Sequence, residues 1–462
     1  MPIHPERARF PLPAGWALLP LLIGCAGSLA YWPGLVTWDS LRQYDQALSG
    51  DFDDWHPPAM EWVWRQLLPL AHGPAPMLLL QLGLYALGFA LLIAAMGRGR
   101  RALAIGCIAL LPLPVALMAT IIKDSLMAGA LLSAAGLCAL ADRRTAGQGA
   151  MRPAAFALLL FASTLRFNAL FATLPLALWS LPEAWRRRPA RLAAGGAVML
   201  ALLAAAMPVA NRLTGAKPSG VELSLIIFDL GGITFHSRAD QFPPVGVADA
   251  VAVNRHCYTP VKWDSYAWWV DEPCPIGFEQ VRDAFARGRI EPHLFWLGAI
   301  LHDPFAYAAH RLAHWNVETR LLASDSVDRP VQVAAPPNEW GFAVSPNPIV
   351  RAVDWLACRS GETPIGWPCV WIAAMIGLLW AGGLGFPARV MAWSALLYAL
   401  GYAPLGVAAE LRYYLWTMLA GAVALVLGVA DWRGPASRGR WMRLVAPPLA
   451  VAVIAAGFRV VS

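Results

Sequence analysis

Five aspartates and a histidine crowd into "WDSLRQYDQALSGDFDDWHPPAMEWVW", the stretch from Trp38 to Trp64 that directly follows an apolar run. Charged and polar side chains recur at the ends of later apolar runs. Lys123 and Asp124 stand in "IIKDSL", Arg166 and Asn168 in "LRFNAL", and Glu410, Arg412 and Tyr413 in "AELRYY". These residue types fit one chemistry. A poorly solvated carboxylate is more basic, which suits general-base work on a hydroxyl. Arginine and lysine at the same level can pair with such carboxylates or line a watery cavity with them.

Asp39 and Asp54 are the candidate bases. Asp39 reads equally as a helix N-cap for "SLRQYDQAL". His56 is held extended by Pro57 and Pro58. It reads as structural, as a group that positions an acceptor, or as a divalent-metal ligand beside Asp54 and a further carboxylate, a spacing that is not diagnostic. Asp45, Asp51 and Asp53 read as solvated loop charges. Trp38, Trp55 and Trp62 suit stacking on sugars or, more commonly, anchoring at a membrane interface.

The elements that must position these residues follow from composition. The chain has 462 residues, of which 58% are hydrophobic and 14% charged, with a mean hydropathy of +0.51. A soluble domain carries about a quarter charged residues. Apolar segments near 15–35, 76–96, 102–120, 125–141, 154–165, 169–182, 192–210, 367–386, 390–407, 412–430 and 444–460 can cross a bilayer as helices. The expected fold is an all-α polytopic membrane protein with about eleven transmembrane helices and a mostly helical extracytoplasmic insertion. The basic N-terminus "MPIHPERARFPLPAGW" lacks an evident cleavage site, so a retained first helix is expected. The net charge of +7 is no nucleic-acid signal, because much of the arginine lies in short interhelical loops.

The loops "GRGRR", "DRRTAGQGAMR", "EAWRRRPAR", "PAR" and "DWRGPASRGRWMR" carry that arginine. With a cytoplasmic N-terminus and one crossing per helix, all five fall on one side, as the positive-inside rule requires. The chemistry-bearing residues then share the opposite, outer face. Ionisable groups at a membrane boundary are costly unless they pair or line a watery cavity, so their gathering marks a candidate functional site. The alternative for any one of them is an interfacial cap or ion pair.

Three parts are expected: an N-terminal transmembrane module over 1–210, an extracytoplasmic domain over 211–366 and a C-terminal transmembrane module over 367–462. Within the middle part, "HLFWLGAILHDPFAYAAHRLAHW" suits a helix lying on the membrane surface. Cys257, Cys274, Cys358 and Cys369 fall on the outer side, and an even number there fits disulfides. Cys257–Cys274 and Cys358–Cys369 are the sequence-local pairings among three connectivities.

The order of "WDS", "DWHPP", "IIKDSL", "LRFNAL" and "AELRYY" resembles the GT-C class of polytopic glycosyltransferases, particularly bacterial members related to protein O-mannosyltransferases. The resemblance implies a sugar donor carried on polyprenyl phosphate, a glycan, lipid or protein acceptor, and an acidic residue of the first outer loop as catalytic base, here Asp39. It matches Asp124 to a second acidic position and Lys123, Arg166 or Arg412 to the groups that hold the lipid phosphate. Asp39-Ser40 replaces the paired Asp-Glu of eukaryotic members, which keeps Asp54 a rival base. The expected enzyme is an inverting transferase of a bacterial inner membrane with its site facing the periplasm, its metal requirement left open. A polymerase or ligase of lipid-linked glycans would need the same basic residues. A transporter or lipid flippase would favour charges at mid-membrane and internal repeats, neither of which the sequence shows.

Overall fold

The computed structural model describes residues 15–97, 99–143, 147–324, 330–432 and 437–461. The basic N-terminal stretch lies at 1–14, outside the described residues. Among the described residues the regular structure is entirely helical. Extended pairing is limited to three isolated bridges, Leu35–Thr120, Asp53–Lys217 and Lys262–Ala408.

Each of the eleven apolar segments contains helix. Five helices are long and apolar enough to cross a membrane: Ala75–Met96, Lys123–Ala141, Pro189–Thr214, Leu411–Asp431 and Arg438–Val461. Arg100–Ile108 and Pro112–Ala119 form a pair bent by 50° that makes a sixth span if taken as one. The bend falls at "LLPLP", where Pro112 lacks the N–H needed to continue one helix but starts the next well. An expected count of about eleven is therefore not reached by length and composition. Gly15–Leu29, Gln148–Ser163, Ala169–Ser180 and Pro368–Ala381 are too short, and the first three carry an internal proline.

The arginine-rich loops meet at one end of the helix bundle. Asp142 pairs with Arg152 and Arg186, each at 2.6 Å. Arg186 in turn lies 4.8 Å from the Phe386 ring centre. Asp431 Oδ2 accepts from the Gly385 N–H, and Arg101 donates to the Ala430 carbonyl. The loops that the positive-inside argument assigned to one side are thus neighbours in space.

One large core runs through both transmembrane parts, with Phe386–Leu405 packed on Ala169–Ser180 and Leu415–Asp431 on Lys123–Ala141. A second core lies wholly between Leu223 and Ala306 apart from Trp55 and two other contributors at its edge, Tyr307 and Val407. Cys257–Cys274 closes this region with a disulfide. The Cys369 thiol instead lies 3.8 Å from the Arg320 carbonyl, so the second expected pairing is not made. The middle part is not uniform, because Val331 and Ala357 join the main core and Pro348–Gly361 packs on Pro112–Ala119.

Pro292–His302 and Pro304–Thr319 begin with proline at N1 behind the capping carboxylates of Glu291 and Asp303. Their polarity is inverted. Leu294, Leu301 and Phe305 are 70%, 71% and 86% exposed, while His310 and His314 are fully buried. That outward apolar face has the composition of a helix resting on or in a lipid surface.

Candidate active site

Local structure places the first acid. Thr37 caps the Trp38–Ser49 helix through a capping box with Ser40, so Asp39 is not the N-cap that its position allowed. Its side chain is left to face other elements. Leu35 donates to the Ala119 carbonyl and accepts from Ile121, which pins the start of this helix beside the start of Lys123–Ala141. The turn carrying Glu410 and Arg412 is fixed from the other side, where Trp263 donates to Val407 and Ala409 to Val261.

The result is one linked network. Asp39 Oδ2 lies 2.9 Å from Arg412 Nη2, and Asp39 Oδ1 lies 3.8 Å from His56 Nε2. His56 Nδ1 is 2.7 Å from Lys123 Nζ. Next along the helix, Asp124 accepts from Arg166 at 2.6 Å, and its second oxygen is buried with no hydrogen-bond partner among the described residues. Arg166 sits 4.5 Å from the Tyr413 ring centre, and Tyr413 stacks on Tyr402 at 5.2 Å. Glu410 pairs with Arg412. Asp39, His56, Lys123, Asp124, Arg166, Glu410, Arg412 and Tyr413 are therefore brought together from four separate parts of the sequence.

Two candidates are not part of the ion-paired set. Asp54 Oδ1 accepts from both the backbone N–H and the hydroxyl of Ser219, each at 2.7 Å, and ties the first loop to the 217–219 segment. Asn168 is buried at the edge of the network, with a side-chain hydrogen bond to Tyr402.

The electrostatics of Asp39 run against expectation. Burial pushes its carboxyl up, but the charges around it, Arg412 first, outweigh burial and hold it well below the usual carboxylate range. The poorly solvated, strongly basic carboxylate expected from the sequence is thus restrained by its cations. His56 is lowered to about 3, first by burial and then by the Lys123 charge. It is neutral near pH 7, and its unprotonated Nδ1 accepts from the Lys123 ammonium. The 3.8 Å contact with Asp39 then involves a neutral ring and is no ion pair.

Ser219 occupies Asp54 Oδ1 and Lys123 occupies His56 Nδ1, which leaves Asp54 Oδ2 and His56 Nε2 as the atoms a metal would need. Among the described residues, no group of three His, Cys, Asp or Glu converges in the manner of a metal site.

A second polar cluster, which the sequence did not single out, is buried in the insertion. Asp229 Oδ1 lies 2.6 Å from Arg311 and 3.1 Å from His310, while Asp229 Oδ2 accepts from the Trp296 indole at 2.8 Å. Tyr258 meets His310 Nδ1 at 2.8 Å, and Arg311 donates to the Gly406 carbonyl at 2.6 Å. Gly406 must be glycine, because a Cβ there would lie 2.9 Å from both Glu318 and His314. The signal available was the spacing of His310, Arg311, His314 and Glu318, which places them on one helical face. Tyr402, the stacking partner of Tyr413, was also missed.

No protein-family model matches the chain, and comparison with curated proteins gives no match. Among solved structures, the oligosaccharyltransferase AglB from Archaeoglobus fulgidus, in complex with an inhibitory peptide and a dolichol-phosphate, is 13% identical. The alignment covers 96% of this chain and 56% of that one, with a TM-score of 0.37. The apo form of the Archaeoglobus oligosaccharyltransferase gives 14% identity, 96% and 56% coverage and a TM-score of 0.38. ArnT from Cupriavidus metallidurans bound to undecaprenyl phosphate gives 15% identity, 90% and 77% coverage and a TM-score of 0.34. These neighbours are GT-C-fold enzymes, the class that the sequence motifs resemble. The chain spans little more than half the length of the oligosaccharyltransferase chains. At such identities and TM-scores the likeness carries no functional argument, which rests on the site itself.

Proposed function

We propose that the chain is an inverting glycosyltransferase that moves a sugar from a polyprenyl-phosphate donor to an acceptor hydroxyl. In this reading eleven helices cross a bacterial inner membrane, and the network around Asp39 faces the periplasm. The observation that carries the proposal is the Asp39–Arg412 pair, a restrained carboxylate joined to a phosphate-binding type of cation at the end of the bundle away from the arginine-rich loops.

The restraint gives the mechanism its order. Without donor, Arg412 keeps Asp39 a weak base. When the donor phosphate takes Arg412, with Arg166 and Lys123 beside it, Asp39 loses its largest lowering influence while burial remains. The carboxylate then becomes basic enough to remove the acceptor proton. The acceptor oxygen forms a bond to the anomeric carbon as the bond to the phosphate oxygen breaks on the opposite face. That bond's electron pair leaves on the polyprenyl phosphate, where the cations stabilise it. This is the single-displacement geometry of inverting sugar transfer, with a hydroxyl in place of water.

The test is transfer by the purified chain in lipid vesicles supplied with a polyprenyl-phosphate sugar and an acceptor extract from envelope membranes. Mass spectrometry should find free polyprenyl phosphate and a glycosylated product. Asp39→Asn should lower the rate about 10³-fold. A normally inserted Asp39→Asn protein that transfers sugar at the wild-type rate would remove Asp39 from the role of base.

A further inference from the structure

A cavity of about 200 Å³ lies beside the first outer loop, outside the network just described. Trp55, Trp268 and Phe278 form its apolar wall, and Arg42, Arg282 and Ser219 its polar wall. We propose that this cavity is a carbohydrate-binding subsite that holds the acceptor, so that the acceptor is a glycan. The identity of the occupant as acceptor rests on the glycosyl-transfer reading above.

The aromatic wall is built and rigid. Trp55 makes edge contacts with Trp268 at 5.0 Å and Trp269 at 5.5 Å, and Trp268 meets Phe278 at 5.0 Å. Yet Trp268 and Trp269 remain 43% and 47% exposed, an unusual outlay of large apolar surface. The polar wall is equally fixed. Arg42 is held by Asp53 Oδ2 at 2.5 Å, and Ser219 is held by Asp54 through its backbone and hydroxyl. The aspartates that read as loop charges or as a rival base thus organise this cavity.

Its contents decide the ligand class. A sugar ring offers C–H patches that pack on indole rings and hydroxyls that pair with guanidinium, hydroxyl and carboxylate groups. Here Glu279 supplies the carboxylate. A lipid chain would take Glu279 and the Arg42–Asp53 and Arg282–Asp283 pairs out of water, which is costly. A bare phosphate would meet Glu279 with like charge.

Position links the cavity to the reaction. Trp55 lines it, while the next residue, His56, faces Asp39 and Lys123. Arg42 lies three residues after Asp39 on the same helix, less than one turn away. A glycan seated on Trp55 and Arg42 thus touches residues one position from His56 and three positions from Asp39 along the chain.

The experiment applies the full-length chain, in lipid nanodiscs, to a glycan microarray. Wild type should bind a defined subset of glycans. Trp268→Ala and Arg282→Ala should each weaken that binding about tenfold or more. No glycan binding, or binding unchanged in both cavity variants, overturns the proposal. So does quenching of wild-type fluorescence by brominated lipid that disappears in Trp268→Ala, because that puts the tryptophan in the bilayer. Cavity-dependent binding with no Asp39-dependent transfer would refute the transfer reading while leaving the subsite standing.

Discussion

Asp39 with His56 and Arg412, and Asp229 with His310 and Arg311, are the same three residue types in two places. In both, an aspartate oxygen lies within hydrogen-bonding distance of an arginine, at 2.9 Å in the first and 2.6 Å in the second. They differ in access and in what occupies the other oxygen. The Asp39 side chain is 29% exposed and its second oxygen meets only a neutral imidazole at 3.8 Å. Asp229 is fully buried and its second oxygen is taken by the Trp296 indole. The first set can exchange partners with an incoming anion, and the second cannot. A buried charge is therefore no mark of a reaction site by itself; exchangeable partners are. The second set acts as a clamp, since Arg311 holds the Gly406 carbonyl four residues before Glu410.

The largest expected effect that separates the two sets is on stability. Asp229→Ala leaves Arg311 buried without its counter-charge and should cost about 3–5 kcal/mol of folding stability. Its thermal unfolding in detergent should come well below that of Asp39→Asn. Equal melting temperatures for the two variants would erase the distinction between clamp and site.

Arg412→Gln comes next. It removes a charged partner from the lipid phosphate and should weaken polyprenyl-phosphate binding about 10²-fold, since a hydrogen bond to a charged group contributes about 1.5–3 kcal/mol. Unchanged binding by calorimetry or native mass spectrometry would assign the phosphate to other residues.

The smallest effect concerns Glu61, a third kind of acid that is fully buried beside Gln43. Burial pushes it up to about 8 from an ordinary 4.5. Because the folded value is the higher one, its contribution to stability is fully present below about 4.5 and is lost as pH rises through about 8. Glu61→Gln should therefore lose less melting temperature than wild type between about pH 5 and about pH 9. Parallel curves would mean that Glu61 is already ionised in the folded protein.

The Asp39 network was legible because charges stand out at the ends of apolar runs, and the arginine-rich loops gave those ends a side. What the sequence lacked was distance. It could not rank Asp39 over Asp54, because only folding shows that Arg412 reaches the former and Ser219 the latter. It placed Asp39 as a more basic group, since burial is visible as hydrophobic surroundings whereas an arginine 373 positions away is not. The clamp was illegible for another reason. His310, Arg311, His314 and Glu318 share one helical face, but only folding shows that this face turns inward while Leu294, Leu301 and Phe305 turn out. By length and composition five helices, or six with the bent pair, reach spanning length, because prolines and glycines break several of the eleven apolar runs.

The central claim is that donor phosphate takes Arg412 and releases Asp39. A cryo-electron-microscopy structure of the full chain in nanodiscs with polyprenyl phosphate tests it directly. The account predicts phosphate density against Arg412 and Arg166, with the Asp39 Oδ2 to Arg412 Nη2 distance opened well beyond its present 2.9 Å. Phosphate bound elsewhere, or bound with that pair intact, would contradict it.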